Sequence, residues 1–142
     1  MILNIYKYSL DKTIEEINRL SRDYLQDVEF MRGRSLIEIF DYVKNIQYVP
    51  DPTGVEFVMR PLRLIQLGRG DCDDKAVFIN ACMLINNIKA GYSIVSQSIT
   101  RGFHHIFNFI IVDGKRLDFD ATYQSNIPFK SKIWAKRKDF IL

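Results

Sequence analysis

Cysteine and histidine are scarce in this chain, with two of each in 142 residues. Cys72 and Cys82 lie on what reads as one helix, where ten residues at 1.5 Å per residue put them about 15 Å apart. That is too far for a disulfide, so a reducing, cytoplasmic setting is expected. No apolar run approaches the roughly 18 to 20 residues of a membrane span, and Met1–Lys7 has neither the basic start nor the apolar core of a signal peptide. No membrane partner is expected. Repeats, low-complexity tracts and convincing linkers are also missing. A net charge of only +3 gives no overall basic face for nucleic acid. Lys130, Lys132, Lys136, Arg137 and Lys138, around Trp134, read as a solvated basic tail.

What is present suits one enzyme-sized domain. Hydrophobic residues make up 47% of the chain, enough for one core and hardly for two. The expected organisation is a helical part over about 1–47, a catalytic core over about 48–123 and the basic tail over about 126–142. Thr13-x-x-Glu16 and Ser35-x-x-Glu38 each read as a capping box that opens an amphipathic helix. Ile14, Ile17, Tyr24 and Val28 form the first apolar stripe, and Leu36, Ile39, Phe40 and Val43 the second. Val49–Gly54 and Pro61–Gly70 read as loops beside the site, and Tyr92–Ile99 as a strand.

The most informative stretch is Gly70-Asp71-Cys72-Asp73-Asp74, which sets a cysteine between a glycine break and a long apolar helix. Ala76, Val77, Ile79, Asn80, Met83, Leu84 and Ile88 recur at spacings of three and four. Cys72 therefore falls in the first helical turn, where free backbone N–H groups and the positive helix end favour a thiolate and can hold an oxyanion. Cys82, inside the same helix, reads as a small core hydrophobe.

Both histidines stand at the head of one strand-like run, Phe103–Val112, which ends in Asp113-Gly114 before a second run, Lys115–Phe119. Asp-Gly between two apolar runs is the mark of a two-residue type I′ hairpin. Such a turn pairs Val112 with Lys115, and every opposed pair then shares an index sum of 227. His105 comes opposite Thr122, with Asp120 as its diagonal neighbour, about 7–8 Å away between backbones on the same face. The hairpin thus selects His105 over His104 and Asp120 over Asp118, provided the register does not slip by one.

With Gly70-x-Cys72 opening a helix, His105-x-Phe107 on a strand and Asp120-x-Thr122 after a hairpin, the chain resembles the transglutaminase-like superfamily, relatives of papain-type cysteine proteases. The likeness covers roughly Tyr48 to Tyr123. Tyr48-Val49-Pro50-Asp51-Pro52-x-Gly54 and Gly70–Ala76 are similar to its small, phage-associated branch. Asp73 and Ala121 replace a tryptophan and a proline of better-studied members. The resemblance implies an α+β, papain-like core with N-terminal helices and a nucleophile at a helix start packed on an antiparallel sheet. It also implies a cytoplasmic or virion-associated cysteine enzyme that acts on protein or peptide amide bonds.

In that chemistry Cys72 attacks the carbonyl, His105 moves the proton and Asp120 orients the ring. Water or an amine then releases the thioester. The Cys72 N–H, with the Gln47 side chain as a second candidate, would receive the oxyanion. The alternative is a catalytically idle member of the same fold, used for interaction or as a virion-associated structural part. Asp71, Asp73 and Asp74 oppose thiol activation. Capping by Asp71 and Asp74 is expected to absorb them without a cofactor, the alternative being a calcium ion on Asp71 and Asp73.

Overall fold

The computed structural model describes residues 10–51 and 58–142. Part of the loop Val49–Gly54 lies outside them, as does Met1–Lys7. The elements in chain order are α1 (Leu10–Asp23), a 3₁₀ segment (Leu25–Met31), α2 (Leu36–Lys44), β1 (Gln47–Tyr48), α3 (Pro61–Leu67), β2 (Arg69–Gly70), α4 (Cys72–Ile85), β3 (Ala90–Ser96), β4 (His105–Val112), β5 (Lys115–Phe119) and β6 (Lys136–Ile141). Among the described residues no helix is long and apolar enough to cross a membrane.

The helix that begins with Cys72 is also the centre of the core. Every residue of α4 except Leu84 is buried, which follows from a sequence with few polar side chains on any face. On one side Ile17 and Leu20 of α1 close over Ala76 and Val77 together with Tyr92, Ile94 and Ile106 of the sheet. On the other, Ile39, Phe40 and Val43 of α2 pack with Phe78, Ile79 and Cys82, and Phe40 meets Phe119 of β5 edge-on at 5.0 Å. Each such large side chain contributes about 1.5–3 kcal/mol by leaving water. The start of α4 is therefore held from several directions.

The main sheet is antiparallel with strand order β5-β4-β3-β6, and β1 and β2 form a small parallel pair. This α+β arrangement of helices on an antiparallel sheet is the expected fold class. Val112 pairs with Lys115 and Asn108 with Phe119, giving the register argued from the turn. Asp113 and Gly114 both have positive φ, +50° and +74°, as a type I′ turn demands.

Several local expectations need correction. Pro61–Gly70, expected as a loop, forms α3 and β2. Thr13 does not cap a helix; it lies inside α1 and is buried, because α1 already runs at Leu10. Ser35 does cap α2, with Glu38 completing the box at 3.1 and 3.2 Å. The strand expected over Tyr92–Ile99 instead covers Ala90–Ser96, because the Ser96 hydroxyl and the Ser98 backbone bond each other and turn the chain away. Finally, the stretch taken for a basic tail contains β6, paired with β3 from Gly91↔Ile141 to Ser96↔Lys136. Its charges mislead because they lie on an edge strand, where basic side chains are commonly placed.

Candidate active site

Cys72 is the first residue of α4, and Gly70 before it is required by crowding. A Cβ there would come within 2.5 Å of a Leu64 methyl and 3.0 Å of the Asp74 carboxylate. Asp74 makes half of the expected cap, accepting from the Asp71 N–H at 3.1 Å and from the Met59 N–H at 2.8 Å; the Asp74 N–H goes to Asp73 Oδ1 at 3.2 Å and not to Asp71. The cap leaves charge unanswered. Both Asp71 carboxylate oxygens and Asp73 Oδ2 are buried without a hydrogen bond of acceptable geometry.

His105 begins β4 and Asp120 follows β5. His105 Nε2 lies 2.9 Å from Asp120 Oδ2, the contact expected from the diagonal register. Asp120 Oδ1 accepts the Thr122 N–H at 3.0 Å, and the Asn126 side chain bonds the Asp120 carbonyl at 3.1 Å. Burial would raise the Asp120 carboxyl, but its bonds to His105 and Thr122 prevail and hold it below the ordinary carboxylate value. With Nε2 engaged by Asp120, Nδ1 is the ring nitrogen left for a reacting group. Phe107, Tyr123 and Trp134 enclose the imidazole, their rings 5.7, 6.1 and 5.9 Å from it.

The duplicated residues have other roles. His104 accepts the Gln97 N–H through Nε2 at 3.0 Å, and its own N–H bonds Val95; burial, then the charge of His105, lowers its imidazole. Asp118 is bound by Arg137 of β6.

The thiol does not behave as its place at a helix start suggests. Cys72 is 1% exposed. Burial pushes its thiol well up, the Asp71 charge adds to this, and the Ile106 N–H only partly opposes them. Both causes act against the thiolate that a helix end worth about half a charge would favour. The same burial and the Asp71 charge push Asp73 up and Asp74 to about 9.

Gln47 is exposed and precedes Tyr48 in a strand, so the two side chains project to opposite faces. The structure brings Tyr48, not Gln47, to the thiol: the Cys72 charge raises the Tyr48 phenol after burial has done so. Sequence reasoning also passed over Lys75, Tyr123 and Trp134. Lys75 is 1% exposed and donates to the Ile46 carbonyl at 2.6 Å and the Thr122 carbonyl at 2.7 Å. One ammonium thereby ties α4 to the segments carrying Tyr48 and Asp120. Its signal was a lysine in the middle of a buried helical stripe.

No family model and no curated protein matches the chain. Solved structures share its fold. A candidate protease from Parabacteroides distasonis superposes with a TM-score of 0.61 at 16% identity, over 80% of this chain and 27% of its own. A candidate cysteine protease from Cytophaga hutchinsonii gives 0.51 at 16% identity, over 83% and 42%. Calcium-bound LapG from Legionella pneumophila gives 0.51 at 15% identity, over 81% and 76%. The fold is thus one found in structures described as candidate proteases, and the chain spans under half the length of the first two.

Proposed function

We propose that this chain is a cysteine-dependent enzyme of the transglutaminase-like superfamily, acting on protein or peptide amide bonds through Cys72, His105 and Asp120. The 2.9 Å His105–Asp120 bond carries the reading, together with Cys72 at the head of the helix against which the strand of His105 packs. Cys72 Sγ attacks the carbonyl while His105 Nδ1 takes its proton. The negative carbonyl oxygen is received by backbone N–H at the start of α4. The imidazolium, stabilised by Asp120, gives the proton to the leaving amine as the C–N bond breaks and a thioester remains. Water at the thioester yields hydrolysis; an amine yields a new amide. The phage-associated branch is the one its Gly70–Ala76 segment resembles.

The acid cluster fits a hard cation such as calcium. Asp51, Asp71 and Asp73 place carboxylate oxygens within 4.8 Å of one another, and two of these residues are fully buried with unanswered oxygens. Three crowded carboxyls must share protons or a cation, and oxygen donors suit calcium. Bound there, the ion would cancel the negative charge that raises the Cys72 thiol.

Iodoacetamide labelling at neutral pH, read by peptide mapping, tests the nucleophile: Cys72 should be modified before Cys82. Casein should release peptides or take up a primary amine, and Cys72→Ala should abolish both. The second reading, an idle interaction module, is favoured by one observation, the near-complete burial of the thiol. An unreactive Cys72 with calcium present would establish it.

A further inference from the structure

Tyr48 is fixed to the backbone just before the nucleophile. In the parallel pair of β1 and β2 it stands opposite Gly70, and the following N–H, of Val49, bonds the Gly70 carbonyl at 2.9 Å. Its ring rests on Tyr123 at 4.9 Å, and Tyr123 in turn stacks on His105. The phenol is thus held in the same cluster as the thiol and the imidazole. Yet Tyr48 Oη is buried and makes no hydrogen bond of acceptable geometry, although the Tyr123 hydroxyl is near enough to influence it. A buried hydroxyl left without a partner costs about 1–3 kcal/mol. Packing explains the ring and leaves the hydroxyl unexplained.

We propose that the Tyr48 hydroxyl is a catalytic hydrogen-bond donor to the oxyanion formed when Cys72 attacks a carbonyl. This deepens the reading of Cys72 as a nucleophile and rests on it. The acceptor that Oη lacks arrives with the substrate: carbonyl carbon bonds to Sγ, the C=O π pair moves onto oxygen, and that oxygen accepts from Tyr48 O–H and from the backbone at the start of α4. When the tetrahedral species collapses, the leaving group departs with the proton held by His105, and Tyr48 keeps its own. Burial and the nearby thiol keep the phenol protonated, so the donor is present wherever the nucleophile works.

Two reactions at the same sulfur separate this role from a structural one. Alkylation by iodoacetamide displaces iodide and builds no oxyanion. Acylation by p-nitrophenyl acetate forms the C–S bond through an oxyanion and expels p-nitrophenolate, leaving acetyl-Cys72. Tyr48→Phe should slow acylation by about 30- to 300-fold, in keeping with the loss of one oxyanion donor. Alkylation should stay within about twofold, and the melting temperature should hold or rise because an unsatisfied group has gone. Gln47→Ala should leave both reactions unchanged. Equal slowing of both reactions by Tyr48→Phe, or a fall in melting temperature, would assign the hydroxyl a structural bond, for instance to Asp71, and overturn the proposal. Unchanged acylation would overturn it as well. Should the Phe variant fold poorly, 3-fluorotyrosine at position 48, a stronger donor, should speed acylation alone; no change there sinks the idea. Failure of the unmodified protein to be alkylated or acylated at Cys72 would instead refute the nucleophile itself.

Discussion

Arg137 grips Asp118 through both carboxylate oxygens, at 2.7 and 3.1 Å, so of two aspartates on one strand face only Asp120 is free to serve His105. Asp118→Ala should cost about 1–3 kcal/mol by removing a buried carboxylate that takes two of the guanidinium's bonds, Arg137 keeping Asp139 and Ser93, and leave Cys72 alkylation in the folded fraction within about twofold. Asp120→Asn should do the reverse, with a loss of acylation of about a hundredfold or more and little change in stability. Urea denaturation beside labelling rates decides; a large loss of reactivity from Asp118→Ala would undo the assignment.

His105→Ala should slow Cys72 alkylation at neutral pH at least tenfold, since a buried thiol with a raised pKa depends on a base to lose its proton. His104→Ala should change it by less than about twofold and lower stability through the lost Gln97 contact. A larger effect at His104, measured by timed labelling and mass spectrometry, would mean that the thiol lies on the other face of β4.

Lys75 makes stability depend on pH. Burial lowers its amine from 10.5 to about 8, with Asp120 partly offsetting. Between those values the unfolded chain holds the proton more than the folded one does, so stability rises with pH through that window; below pH 8 the cost of the buried charge is fully present. The slope should reach about 1 kcal/mol per pH unit, and Lys75→Met should remove it. Denaturation midpoints from pH 8 to 10 that run parallel in the two proteins would contradict this.

Calcium should raise the melting temperature, and EGTA should reverse the effect. At a hundredfold excess over its dissociation constant, an ion bound only by the folded chain adds about 2.7 kcal/mol. Asp71→Asn and Asp73→Asn should each abolish the response. Equal melting with calcium and EGTA would leave proton sharing as the way these acids are accommodated.

The hairpin was legible because a two-residue Asp-Gly turn converts sequence positions directly into spatial neighbours: it placed His105 against Asp120 with no other information. The helix start at Cys72 was legible for the same local reason. The exposure of Gln47 was not legible, since the face each residue of a two-residue strand presents depends on its pairing with Arg69–Gly70, about twenty residues further on. Trp134 and Arg137 were hidden for a related cause. Strong basic charge masked an edge strand whose partner, β3, lies about forty residues earlier, and no local pattern reports such pairing.

That edge strand also orders events during synthesis. A chain that ends between Asp120 and Trp134 carries all three proposed catalytic groups while Asp118 lacks Arg137 and the imidazole lacks the Trp134 wall. A chain truncated after Ile133 should therefore show a Cys72 that is exposed but unreactive, as timed labelling of the released protein can establish. The chemistry would then be withheld until its scaffold is sewn shut.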